Sequence, residues 1–133
     1  MNRIENDVFT LVATKLRTEF GADNIYITGE YTRTPPKFPC VFLQEADNFN
    51  AGYDGCNHEH ITGVMYELEV YSNLENGKKT QAKNIAYVAD KELTRLGFRR
   101  MSLQAIPNYE DATIYRLIGR YAASVIDNVV YRR

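Results

Sequence analysis

The sequence predicts a single α+β domain whose elements run helix, sheet, helix, sheet, in the order α-β-β-β-α-β-β. Three observations predict it. Apolar residues recur at helical spacing over about residues 3–20 and again over 82–96. Period-two alternation marks the segments that follow each helix. The length, 133 residues, is that of one domain, and no internal repeat, low-complexity stretch or linker divides it.

The first helix is carried by Ile4, Val8, Leu11, Val12, Leu16 and Phe20. Asn2 followed by Glu5 forms a capping-box pattern, and Gly21 supplies the stop. Residues 24–28 begin a strand through Ile25, Tyr26 and Ile27. Pro35, Pro36 and Pro39 then make 34–39 an edge or connector, because proline cannot donate to a ladder. Cys40 to Glu45 reads as a second strand. Residues 46–61 hold Asn, Asp and Gly without periodicity, and read as a long loop of the kind that serves a function. Val64, Tyr66, Leu68 and Val70 alternate with Met65, Glu67, Glu69 and Tyr71 as a half-buried strand, Glu67 and Glu69 facing solvent.

Leu74 to Gly77 turns the chain into a second helix with Ala82, Ile85, Ala86, Ala89, Leu93 and Leu96 on one face. Its Leu96-Gly97-Phe98 ending has the form of a Schellman stop. Arg100 to Ile106 is a strand with Met101 and Leu103 inward, and residues 107–111 turn. A strand pattern resumes over 112–126. Fifteen extended residues reach about 50 Å at ~3.3 Å each, longer than such a domain is across, so this segment either bends at Gly119 or projects as a hairpin arm.

Composition limits function. Sixteen Lys+Arg against seventeen Asp+Glu give a net charge of −1, so no global field grips nucleic acid. The N-terminus lacks a secretory apolar region, which predicts that the chain stays in the cytoplasm where it is made, and no apolar run is long enough for a bilayer. Cys40 and Cys56 are too few for a disulfide framework. Ten Tyr and six Phe, with no Trp, suggest extensive strand faces or protein interfaces.

Cys56, His58 and His60, with Asp54 and Glu59 beside them, form the sharpest cluster of metal-ligating types, and Cys40 is a further thiol. The spacing matches no closed zinc site, and a polar surface loop explains the same residues. GxSxG, HExxH, P-loop and GxGxxG patterns are all missing from the sequence, so the expectation is that the protein is not an enzyme. Lys78-Lys79, Arg99-Arg100 and Arg132-Arg133 are basic pairs, with acidic pairs close enough in sequence to prevent a patch of one sign.

Several stretches, taken in order, resemble the tail terminator (tail completion) proteins of long-tailed bacteriophages and prophages. They are Thr28-Gly29-Glu30-Tyr31 with Pro35-Pro36 and Phe38-Pro39, Glu45-Ala46-Asp47-Asn48, Met65 through Asn73, and Gly77-Lys78-Lys79. Leu96-Gly97-Phe98, Asp111 through Arg116, Gly119-Arg120-Tyr121 and Tyr131-Arg132-Arg133 complete the series. The resemblance implies an α+β subunit with a mixed or antiparallel sheet flanked by two helices, closing into a homohexameric ring. Such a ring ends tail-tube polymerisation at the head-proximal end of the virion tail. It meets the tail tube protein and the head connector or stopper, and lets DNA pass through its lumen. No enzymatic activity and no cofactor are implied.

On this reading Tyr115, Arg116, Arg120 and Tyr121 of the 112–126 arm are candidate ring contacts, since Arg and Tyr dominate interface energetics. Charge reversal at Arg116 or Arg120 is expected to break assembly and spare the fold. Asn48, Phe49, Tyr53 and Asp54 of the 46–61 loop are candidate contacts to tube or connector. The alternatives are another head–tail connector or completion component, or a metal-dependent enzyme built on Cys56, His58 and His60; an RNA-binding module is poorly served by the neutral charge.

Overall fold

Two helices bury their apolar stripes against one face of a mixed sheet in a computed structural model that describes residues 3–30, 35–53, 59–107 and 111–130. The fold is α+β. In chain order the elements are α1 (Glu5–Phe20), a 3-10 turn (Ala22–Asn24), β1 (Tyr26–Thr28), β2 (Cys40–Tyr53), β3 (Glu59–Ser72), α2 (Lys78–Leu96), β4 (Arg99–Ala105), β5 (Tyr115–Ile126) and β6 (Val129–Val130). Across the sheet the order is β1-β2-β3-β5-β4, with β6 pairing the end of β5. β1 runs parallel to β2 and every other pairing is antiparallel.

The core follows from periodicity. All six stripe residues of α2, from Ala82 to Leu96, are buried, and from α1 so are Val8, Val12, Ala13 and Leu16. They meet Val41, Leu43, Val64, Tyr66, Leu68, Val70, Leu117 and Tyr121, the helix-side residues of β2, β3 and β5. Each fully buried Leu or Ile contributes on the order of 1.5–3 kcal/mol. Leu11, by contrast, stays 43% exposed at the margin of the α1 stripe. The helix stops form as the glycines require. Gly21 has φ 90° and Gly97 has φ 105°, and after α2 the Gly97 N–H donates to Thr94 O while the Phe98 N–H donates to Leu93 O at 2.9 Å, a Schellman pair.

Five expectations need correction. The capping box does not start α1. Its N-cap is Ile4, without a side-chain cap, and the Glu5 carboxylate instead accepts the Glu45 backbone N–H at 2.6 Å; Asn2 lies outside the described residues. Residues 46–61 are largely strand, since β2 runs on to Tyr53 and β3 starts at Glu59, leaving 54–58 outside the described residues. Bulges between Glu45 and Asp47 and between Asn50 and Gly52 break the alternation, which is why no strand period shows there.

The 112–126 segment is not an arm in this fold. β5 pairs with β3 from Tyr115 to Ile126, and with β4 over 117–122, so its length is taken up inside the sheet. Met101 and Leu103 are not inward: they are 56% and 38% exposed, because β4 is an edge strand with a bulge between Arg100 and Ser102. Glu69 does not face solvent. It is 1% exposed on the sheet face away from the helices, alongside buried Cys40, Phe42, Tyr71 and Ile118.

Candidate functional site

The residues singled out in sequence fall in three places. Asp54, Cys56 and His58 lie outside the described residues, as does the Arg132-Arg133 pair, and His60 belongs to β3. Among the described residues, His, Cys, Asp and Glu form no cluster of three suited to a metal ion. Cys40 is buried, and its thiol is pushed up to about 11 by that burial and by the neighbouring Glu69. A thiol so held is protonated at neutral pH and serves as a core side chain rather than as a nucleophile or ligand. No helix among the described residues is long and apolar enough to cross a membrane.

The second place is the far half of the β2–β3 hairpin, which holds Asn48, Phe49 and Tyr53. Phe49 stands opposite Gly63 and is 48% exposed. A Cβ at Gly63 would come within 2.3 Å of the Phe49 ring, so the glycine is what lets the ring lie flat on the neighbouring strand. This displays an aromatic surface in a fixed pose at low conformational cost.

The third place is β5. Tyr121 is fully buried, and its hydroxyl donates to Asp90 Oδ1 at 2.8 Å, tying β5 to α2. Burial, and the Asp90 carboxylate next to it, push the Tyr121 phenol well up, so it stays a donor. Arg116 is committed within the chain. Its Nε donates to Glu69 Oε1 at 2.9 Å and its Nη2 contacts the same oxygen, which also accepts the Tyr71 hydroxyl at 3.1 Å. The guanidinium lies 5.7 Å from the Tyr71 ring centroid. Tyr121 is therefore core, and Arg116 is not free to serve a partner. Arg120 is exposed across from Glu67, and Tyr115 is half-buried.

Two hollows, neither of them evident in the sequence, flank this framework. Between α2 and the β4 edge lies a groove of about 490 Å³ lined by Lys79, Lys83, Tyr87, Asp90, Arg100 and Leu103, among others. Its charged lining is three cations and one carboxylate, and Asp90 is already engaged by Tyr121 and by Arg100 at 3.2 Å. Tyr87 is 60% exposed, with the Lys91 ammonium 4.6 Å above its ring. At the opposite edge, between the start of α1 and β2, a hollow of about 610 Å³ is lined by Arg3, Glu5, Asp7 and Glu45 with Asn6, Asn48 and Asn128. Its lining is three carboxylates and one cation. The helix stripes hid both hollows, because such a stripe marks what α1 and α2 bury and not what they leave uncovered.

Glu45 shows the strain in the acidic hollow. Burial holds its carboxyl above the usual range, the Asn48 hydrogen bond opposes this, and the Glu5 charge adds to the rise. A carboxyl whose pKa is raised on folding favours the folded state when protonated and disfavours it once ionised. Glu45→Gln is therefore expected to raise Tm at pH 7. The gain should shrink as pH falls through the raised Glu45 pKa and vanish below the ordinary glutamate value of about 4.3. Thermal melts of both chains across that range check it, and a gain unchanged at low pH would refute the assignment.

No family model matches the chain, and no curated protein matches it.

Proposed function

We propose that the protein is a tail terminator: a structural subunit that closes into a ring on the head-proximal end of a phage tail tube, ends its polymerisation and receives the head connector. One observation carries the reading. Several of the stretches that carry the resemblance, all among the described residues, fall on adjoining strands or on a helix–strand joint of a single α+β fold. Residues 66–72 and 115–121 meet as neighbouring strands, pairing Tyr71 with Arg116 and Glu67 with Arg120, and the Glu69–Arg116 ion pair links the two. Leu96-Gly97-Phe98 is the stop that turns α2 into β4.

In this reading the ring is a homohexamer with DNA passing through its lumen, and a net charge of −1 suits a passage that must not retain phosphate. Contact with the tube or connector falls in this reading to the far half of β2, with Asn48, Phe49 and Tyr53 as its residues, and to Asp54, which lies outside the described residues. Electron microscopy of particles from phage lacking the gene tests the function. Overlong tails are expected; tails of normal length without heads would instead identify a connector or head-completion component.

A further inference from the structure

The α2–β4 groove and the α1–β2 hollow are opposite in charge and lie at opposite edges of one sheet. β4 ends the sheet on one side, and β2 with β1 ends it on the other. The two linings cannot meet within one chain, but they can meet between two copies. We infer that they do: the start of α1, with Asp7 and Leu11 leading, docks into the α2–β4 groove of a second copy of this chain.

Three features favour a second copy as the occupant. The lining charges complement each other, +2 in the groove from Lys79, Lys83 and Arg100 against Asp90, and −2 in the hollow from Glu5, Asp7 and Glu45 against Arg3. Apolar surface accompanies charge on both sides. Leu11, one turn beyond Asp7 on α1, is 43% exposed, while Tyr87 and Leu103 are exposed in the lining of the groove. The like charges crowding Glu45 within one chain are relieved when a cation arrives from outside. A patch meeting a different patch on the next copy makes a head-to-tail contact, which closes into a ring or grows into a filament. The inference rests on the ring reading above and names the surfaces that form the ring.

The test uses two charge reversals at exposed positions, Lys83→Glu and Asp7→Lys, on the full chain. At low salt the wild-type chain is expected to self-associate by sedimentation velocity, and to dissociate as salt rises. Each variant alone should associate about tenfold or more weakly while its circular dichroism stays that of the wild type and its melting stays cooperative, with Asp7→Lys melting a few degrees lower because it sets a cation in the first turn of α1. Mixed in equal amounts, the two variants should associate again. Each substitution alone brings its lining to zero net charge, whereas in the mixture the native groove of one variant meets the native α1 of the other, and the two substituted positions, now of opposite sign, meet each other. No symmetric contact between like patches gives that recovery.

A wild-type chain monomeric to about 1 mM at low salt, or a mixture no better than its components, would overturn the inference. So would binding of a DNA oligonucleotide that Lys83→Glu abolishes without any change in self-association, which would assign the groove to phosphate. Tail length in the deletion phage is read independently. Overlong tails beside a failed mixing experiment would leave the terminator reading standing and remove only this contact.

Discussion

Arg116→Met is expected to destabilise the fold by about 3 kcal/mol, the lower part of the range for breaking a buried pair, since Arg116 itself keeps 25% of its side chain exposed. Glu69 has no such outlet. Its side chain is 2% exposed, and with the guanidinium gone it keeps, among the described residues, the Tyr71 hydroxyl as donor. For a domain of this size the loss corresponds to a fall in Tm on the order of 10 °C.

The partner substitution distinguishes a pair from a sum. Glu69→Gln removes the charge but keeps an acceptor for Tyr71, so the double variant Glu69→Gln with Arg116→Met should recover most of the loss. Thermal melts of the four chains complete the cycle. Additive losses would mean that Arg116 acts through packing on the Tyr71 ring and not through its charge. In either case reversal at Arg116 does not separate assembly from stability, since Arg116→Glu sets a second carboxylate against Glu69. Arg120, exposed and outside this pair, remains usable for that purpose.

The helices were legible because one face of each is buried against one wall, and a 3.6-residue period survives such an environment. Only Leu11 departed, at the margin where α1 leaves the sheet uncovered. The strands were less legible wherever burial was not confined to one face. Near their paired ends β2, β3 and β5 are buried on both sides, and Cys40-Val41-Phe42-Leu43 carries the only plain signal of this as an unbroken apolar run. That run, read as two-sided burial, would have placed the neighbouring Glu69 in the interior and required a cation beside it.

At the far end of the hairpin the opposite holds. Ala46, Asp47, Phe49, Asn50 and Ala51 are all exposed, so nothing selects an alternating pattern, and the ladder alone makes the strand. On β4 a single bulge reverses the parity of Met101. The two hollows had no sequence signal at all, because each is assembled from elements distant in the chain: Glu5 with Glu45, and Lys83 with Arg100.

Phe98→Ala is expected to cost about 3–5 kcal/mol, the range for emptying a buried aromatic site. Phe98 is 3% exposed, and its ring meets Tyr66 edge-on at 4.9 Å between centroids with 64° between planes, a geometry that adds to the area buried. Gly97→Ala supplies the comparison. It strains the left-handed residue of the same stop, and a methyl group there costs about 1 kcal/mol while the Phe98 ring stays in place. If the backbone stop alone held the α2–β4 joint, the two variants would lose similar stability; if the ring holds it, Phe98→Ala loses severalfold more. Urea titrations decide, with equal slopes and unequal midpoints as the expected form. The consequence reaches both edges of the domain. β4 begins at Arg99, directly after Phe98, so loosening the ring loosens the strand that carries Arg100 and Leu103 into the groove. The Tyr66 ring that Phe98 supports carries a buried hydroxyl whose pKa is driven far up by burial and by the charge of Glu45, which lines the acidic hollow. One aromatic pair thus links the strand that borders the cationic groove to the tyrosine that feels Glu45 of the acidic hollow. Hydrogen exchange on Phe98→Ala should therefore show lost protection along β4, as well as the global fall in stability.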